Sequence, residues 1–377
     1  MTEKKPKVLF VASVEGHLKR FHTPYFKWFK EHGFEVHATA KKYYKEPIQF
    51  CDKFFDIPFE RSPFSKANFK VFKELQEVIK KGGYSAIHCH TPMAATLARL
   101  AARKFRKNGL KVIYTAHGFH FYNGAPKVNW SVYYPIEKTL AKYTDALITI
   151  NQEDYDSALK HGFNAKKIYN VPGVGVPKDR ITETNKELKA ELRKKYGFRE
   201  EDFILVYPAE FSFRKNQQFL IESLPKLKEK IPHLKLLLLG GGPLTDTLKQ
   251  QIEQLNVADV VKLYDFKDDI GSFLALSDVA VSSSRQEGLP INLVEAMMTG
   301  LPIVATPCRG NNELVVEGEN GYLVKTPDEF SKAIINLYQN PDLVSRFGEK
   351  SKELVEKFSL ENAVKAHEAI YKEVLGI

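Results

Sequence analysis

Residues 279–306 read VAVSSSRQEGLPINLVEAMMTGLPIVAT. A small and β-branched run ends in three serines, and the turn QEGLPI follows. Residues 290–299 carry helical periodicity, and Gly300 with Pro302 stops that helix before a second apolar run at 301–306. Strand, turn, helix and strand in that order is the repeat of a parallel sheet, whose neighbours need a crossover connection. Outward from this stretch the same alternation recurs. Strands are expected at 203–210, 234–240 and 260–266, separated by helices at 216–230 and 243–255. The first half shows it too, with strands at 7–13, 35–40, 86–91, 111–117 and 146–151 and helix-like segments at 21–33, 65–82 and 92–107. Two successive sets predict two doubly wound α/β domains. The Gly- and Pro-rich VPGVGVPKDR (171–180) is the expected linker. Ligands of such folds bind beyond the carboxyl ends of the strands, so the expected site is a deep cleft between the domains.

The chain has 377 residues, 43% apolar and 27% charged, a globular composition with room for two cores. No segment approaches the ~18–20 consecutive apolar residues of a membrane span. The opening MTEKKPKVLFVASVEGH reads as a first strand and not as a signal peptide. Cys51, Cys89 and Cys308 are odd in number and far apart, which points to free thiols and a cytoplasmic address. The net charge of +10 is uneven: residues 1–180 hold 31 Lys and Arg against 16 Asp and Glu, leaving 25 against 30 in the rest. The basic half either meets an anionic surface or ligand or is a solvated face.

Glu287 and Glu295 flank the helix that starts near Pro290. A helix start attracts anions through its unpaired amides, here those of about Leu289 to Leu293. Carboxylates cannot hold phosphate; they accept from hydroxyls, and best from neighbouring pairs. An anion flanked by two diols describes a nucleotide diphosphate sugar.

The string EGLPINLVEAMMTGLPIVAT resembles the E-x7-E motif of retaining glycosyltransferase family 4, which has the GT-B fold of two Rossmann-like domains. AEFSFRKNQ (209–217) is similar to the family's phosphate-binding segment. LLLLGGGP (236–243) is similar to its glycine turn, and RGNNELVVEGENGYLV (309–324) to its late loop and strand. Residues 22–29, HCHTPMAATLARLAAR (88–103), YTAHGFHFYNGAPKVNW (114–130) and YYPIEKTLAKYTDALITINQEDY (133–155) resemble a subgroup of bacterial exopolysaccharide and capsule synthesis. The resemblance implies an acceptor-side domain over 1–178, a donor domain over 179–361, and a last helix, about 362–377, that crosses back onto the first domain.

It further implies that Glu287 holds donor-sugar hydroxyls and Glu295 the ribose. The turn after Gly288, through Leu289, Pro290 and Ile291, would meet the diphosphate that Lys215 neutralises, with the amides of Leu289 and Ile291 as donors. Gly16 would let the chain pass close to the donor, and His117 would reach its sugar and phosphate. Two positions depart from the family pattern. Glu210 stands where many relatives carry arginine, so Arg214 either supplies that charge or lies on the surface. Asp265 stands where relatives carry glycine, which leaves the nucleobase open.

The expected chemistry is same-face attack through an oxocarbenium-like ion pair. No metal is expected, since KDDI (267–270) is in the wrong setting for a metal motif and activity should survive chelation. His88 and His90 alternate on one strand and share a face, with Cys89 opposite. His90, His120 and His17 are acceptor-side candidates, or brace the fold. Arg99, Arg103, Arg106 and Lys107 give 92–109 a basic face, read as either peripheral contact with the inner, anionic face of the plasma membrane or ordinary solvation.

The function that the resemblance implies is transfer of a sugar from a UDP-linked donor to a lipid-linked saccharide. The alternatives are a nucleotide-sugar epimerase of the same fold and a non-catalytic nucleic-acid-binding protein suggested by a pI near 9.1. No RNA- or DNA-binding signature supports the latter, and nucleic acid is not an expected partner.

Overall fold

The computed structural model describes residues 5–60, 62–265 and 269–377. Phe266, at the end of the strand expected at 260–266, and Lys267 and Asp268 of KDDI lie outside the described residues. The chain forms two compact units, Met1–Gly175 with Glu361–Ile377, and Val176–Leu360.

The first unit has a seven-stranded parallel sheet. Its strands are β1 (Lys7–Val14), β2 (Glu35–Lys41), β3 (Lys53–Asp56), β4 (Ala86–His90), β5 (Lys111–Ala116), β6 (Ala146–Thr149) and β7 (Lys167–Asn170), in the order β3-β2-β1-β4-β5-β6-β7. The second unit has a six-stranded parallel sheet of β8 (Phe203–Pro208), β9 (Leu234–Leu239), β10 (Val261–Tyr264), β11 (Val279–Ser282), β12 (Ile303–Ala305) and β13 (Gly321–Leu323), ordered β10-β9-β8-β11-β12-β13. Both orders reverse direction beside the first strand, between β1 and β4 and between β8 and β11. The connections leave on opposite sides there, opening a crevice at the strands' carboxyl ends.

Alternation explains why the strands are apolar throughout. Leu205 and Tyr207 of β8 enter one core with Leu236 and Leu238 of β9, while Ile204 and Val206 enter the opposite core with Leu237 and Leu239. In the first unit Leu9, Ile87, Cys89 and Val112 share a core. The opposite face is more polar: His88 bonds Thr115 at 2.9 Å and the Tyr371 hydroxyl at 3.0 Å. Tyr371 comes from the last helix, Leu360–Leu375, where His367 also lies 4.6 Å from the Tyr25 ring.

Several expectations change. The helix expected over 21–33 is two helices, Glu15–Phe21 and Thr23–Glu31, with His22 between them. The edge strands β3 and β7 carry half-exposed, partly charged residues and lack the apolar signature of interior strands. The segment 92–109 is not one basic helix, since the helix stops at Ala102 and a 3-10 turn covers Phe105–Asn108. Its basic face is not free either. Arg99 is 1% exposed and pairs with Glu137 at 2.8 Å, while Arg106 pairs with Asp145 at 3.0 Å. Only Arg103 and Lys107 of the four are exposed.

Candidate active site

In the second unit the segment after β8 folds into a tight turn. The Ser212 carbonyl accepts from the amides of Lys215 and Asn216, both at 3.0 Å. Asn216 takes a left-handed conformation (φ 53°), which asparagine tolerates because its short polar side chain bonds locally. Lys215 Nζ reaches Glu287 Oε1 at 2.5 Å, and Arg214 Nη1 lies 3.2 Å from Oε2. Ser284 Oγ donates to Oε1 at 2.6 Å. Glu287 is 5% exposed, so its charge is compensated where water cannot do so. Arg214 is 47% exposed, so its pairing is worth less than that of Lys215, which is 11% exposed.

The turn is bound to the end of β11. Ser283 Oγ donates to the Lys215 carbonyl at 3.0 Å, and the Tyr207 hydroxyl donates to the same carbonyl at 3.2 Å. Burial raises the Tyr207 hydroxyl well above its usual range and keeps it a donor. Below lies the glycine turn after β9. A Cβ at Gly240 would come 2.3 Å from the Ala209 carbonyl oxygen, and one at Gly242 2.5 Å from that of Phe211. Behind Glu287, Arg309 Nε donates to its carbonyl at 3.0 Å, and a Cβ at Gly310 would meet both Glu287 Cβ and Pro290 Cδ at 2.8 Å.

The helix spans Ile291–Thr299, so Pro290 precedes it and does not occupy its first position. The Pro290 carbonyl accepts from the Leu293 and Val294 amides at 3.1 and 3.2 Å, which removes Leu293 from the expected cradle. No side chain caps this helix start, leaving the amides of Ile291 and Asn292 as its first-turn donors. Gly288 and Leu289 lie half-buried in the turn before it. Glu295, buried on the same helix, pairs with Arg180 at 2.6 Å. Glu210 is exposed and Gln217 donates to its carbonyl at 2.8 Å. Asp265 is exposed just past β10.

In the first unit, Gly16 lies in the first turn of Glu15–Phe21, where a Cβ would stand 3.2 Å from the Tyr44 hydroxyl. His17, His90 and His117 come together beside His22, the four offering nitrogens within 4.8 Å of one another. His17 also lines a pocket of about 300 Å³ with Ser13, Thr91, Met93, His120 and Tyr133. The His120 ring packs 4.5 Å from that of Tyr133. Thr91 holds a positive φ of 63° before Pro92, fixed by Ser13, whose amide donates to Oγ1 at 3.0 Å. Strain of this kind gathers at functional sites. Burial pushes Cys51 and Cys308 up to about 11 and Cys89 up to about 12, so the thiols are not nucleophiles near neutral pH.

Ser284, Tyr207, Arg309, Arg180, His22 and Thr91 were not singled out from sequence. The run SSS at a strand end holds Ser284, and His22, Thr91 and Arg309 fall within the strings that carry the family resemblance.

Two parallel α/β sheets in two compact units are the Rossmann-like architecture of the GT-B type. Residues 189–354 match the family model for glycosyl transferases group 1, and residues 7–151 that for glycosyl transferase 4-like proteins. The chain belongs to this family, the family 4 glycosyltransferases of GT-B fold. It is 45% identical over 367 residues to the Bacillus subtilis (strain 168) protein named glycosyltransferase EpsD, covering 97% of this chain and 96% of that one. An Escherichia coli UDP-Gal:alpha-D-GlcNAc-diphosphoundecaprenol alpha-1,3-galactosyltransferase is 29% identical over 278 residues, 72% of this chain and 70% of that one. Among solved structures, Anabaena Alr3699/HepE in complex with UDP and glucose shares the fold with a TM-score of 0.79 and 19% identity, over 99% of this chain and 100% of that one.

Proposed function

We propose that this glycosyltransferase moves a sugar from a UDP-sugar, with retention of configuration, to a lipid-linked saccharide in exopolysaccharide or capsule synthesis. The observation that carries the donor assignment is the corner at Glu287. Two cations, a buried carboxylate and uncapped helix amides meet there, a layout that suits a sugar hydroxyl beside a diphosphate. Lys215, with Arg214 beside it, offsets the charge that develops on the departing nucleoside diphosphate, so this step needs no divalent ion. Glu295 receives the ribose diol, exchanging its contact with Arg180. The pocket of His17, His120 and Thr91 receives the acceptor. A relative named for a UDP-sugar donor and a diphosphoundecaprenol-linked acceptor supports the substrate classes, and a neighbour whose title contains UDP supports the nucleotide.

A thermal-shift screen of UDP-, GDP- and ADP-sugars tests the donor. A UDP-sugar should raise the melting temperature, and Glu287→Gln should weaken its binding by about 10- to 150-fold, the loss of one hydrogen bond to a charged group. A shift with GDP-sugars alone would overturn the nucleotide assignment. Equal binding by Glu287→Gln would overturn the site.

The charge asymmetry, and not the 92–109 segment, supports contact with an anionic membrane face. The protein should float with vesicles containing phosphatidylglycerol and should lose that association as salt rises. Equal flotation with neutral vesicles would remove this partner.

A further inference from the structure

We propose that His17, His22, His90 and His117 form a binding site for one tetrahedral Zn²⁺ ion. The ligands would be Nε2 of His17, His22 and His117 and Nδ1 of His90. These residues stand on rigid elements at the first unit's switch point. His90 ends β4, His117 follows β5, and His17 and His22 lie on and just after the helix that β1 feeds.

The spacing supports an ion. His22 Nε2 is 3.2 Å from His17 Nε2, which is 3.3 Å from His117 Nε2, itself 3.2 Å from His90 Nδ1. A Zn–N bond of about 2.0–2.1 Å gives a tetrahedral edge of about 3.3–3.4 Å. The other three pairs lie within 4.8 Å, so small side-chain shifts would complete the tetrahedron.

Hydrogen bonding alone does not explain the cluster. A neutral imidazole nitrogen carries either one N–H or one lone pair, in the ring plane. His17 Nε2 and His117 Nε2 each stand in two of the three contacts, so at most two of those contacts can be sound hydrogen bonds. A cation would draw on all four nitrogens, with the stacked rings of His22 and His90, 3.8 Å apart, turning to aim both lone pairs at it.

Four protein ligands close a zinc site, whereas catalytic sites keep a position for water or substrate. The ion would therefore fasten the carboxyl ends of β4 and β5 to the segment after β1. It would add nothing to the donor chemistry assigned to Lys215. His117, expected from sequence to touch the donor, would serve instead as a ligand through Nε2.

The test is titration of chelator-dialysed, folded full-length protein with Co²⁺ and then Zn²⁺. The readouts are metal content, visible absorption and melting temperature. One equivalent of Co²⁺ should bind with the intense visible bands of a tetrahedral complex, Zn²⁺ should displace it, and the melting temperature should rise. Loss of an outer-shell partner typically costs about 10- to 100-fold in metal affinity. His22→Gln and His117→Gln, which remove ligands, should therefore cost at least about 100-fold, and His161→Gln should change nothing. If a ligand variant fails to fold, the parent's Co²⁺ spectrum decides alone. Absence of stoichiometric uptake, an octahedral Co²⁺ spectrum, or unchanged affinity in both ligand variants would overturn the site.

Discussion

Lys215→Ala should lower turnover by about 10²–10³-fold, the usual cost of removing one preorganised group that stabilises developing charge. The lysine is mostly buried, and its ammonium already stands 2.5 Å from Glu287. It is therefore positioned before the donor arrives, held by a turn whose backbone is hydrogen-bonded to Ser283 and Tyr207. Glu287 keeps Ser284 and Arg214 in the variant, so the protein should fold. Arg214→Ala should cost less, about 10-fold, because Arg214 is half-exposed and water screens it. Initial rates of UDP-sugar turnover with both variants check this. If Arg214→Ala is the more damaging, the exposed arginine is the main phosphate partner and the roles must be exchanged. Full turnover in both would remove the corner from the mechanism.

Glu137→Ala should destabilise the first unit by about 3–5 kcal/mol, because it strands a buried guanidinium. Arg99 lies 4.1 Å from the centre of the Tyr114 ring, and the Tyr114 hydroxyl also donates to Glu137 at 3.0 Å. Its Nε bonds the Ala95 carbonyl at 3.1 Å. The double change Arg99→Met with Glu137→Leu should recover most of the loss, since it leaves no unpaired charge. Chemical denaturation of the three proteins checks both parts. A small loss in the single variant would mean that water reaches the arginine.

Much of this molecule was legible because parallel strands buried on both faces leave long apolar runs. Interior strands such as β1, β8 and β9 announce themselves in this way, while β3 and β7 do not, being half-exposed at the edges. The Glu287 helix was legible from Pro290 and Gly300, but its start was misplaced by one residue, since proline fits on either side of a helix boundary. Lys215 came from a resemblance, and the meeting of Arg214 with Glu287 came from the fold: no pattern along the chain shows that positions 214 and 287 touch. The burial of Arg99 is hidden from the sequence for a related reason. Helical spacing places it beside Arg103 and Arg106, but only tertiary packing brings Glu137 to it. His22 has no signature along the chain, because ligands drawn from separate elements share no motif.

The glycines at 240 and 242 touch no ligand in any role assigned above, yet the turn that carries Lys215 rests on them. Any side chain there would press against the carbonyls of Ala209 and Phe211 and lift the whole lysine turn off its support. A mutational scan scored by donor affinity would therefore mark both positions as contact residues. Their contribution is empty volume, reserved so that a neighbouring backbone can rest there, and even alanine should be too large.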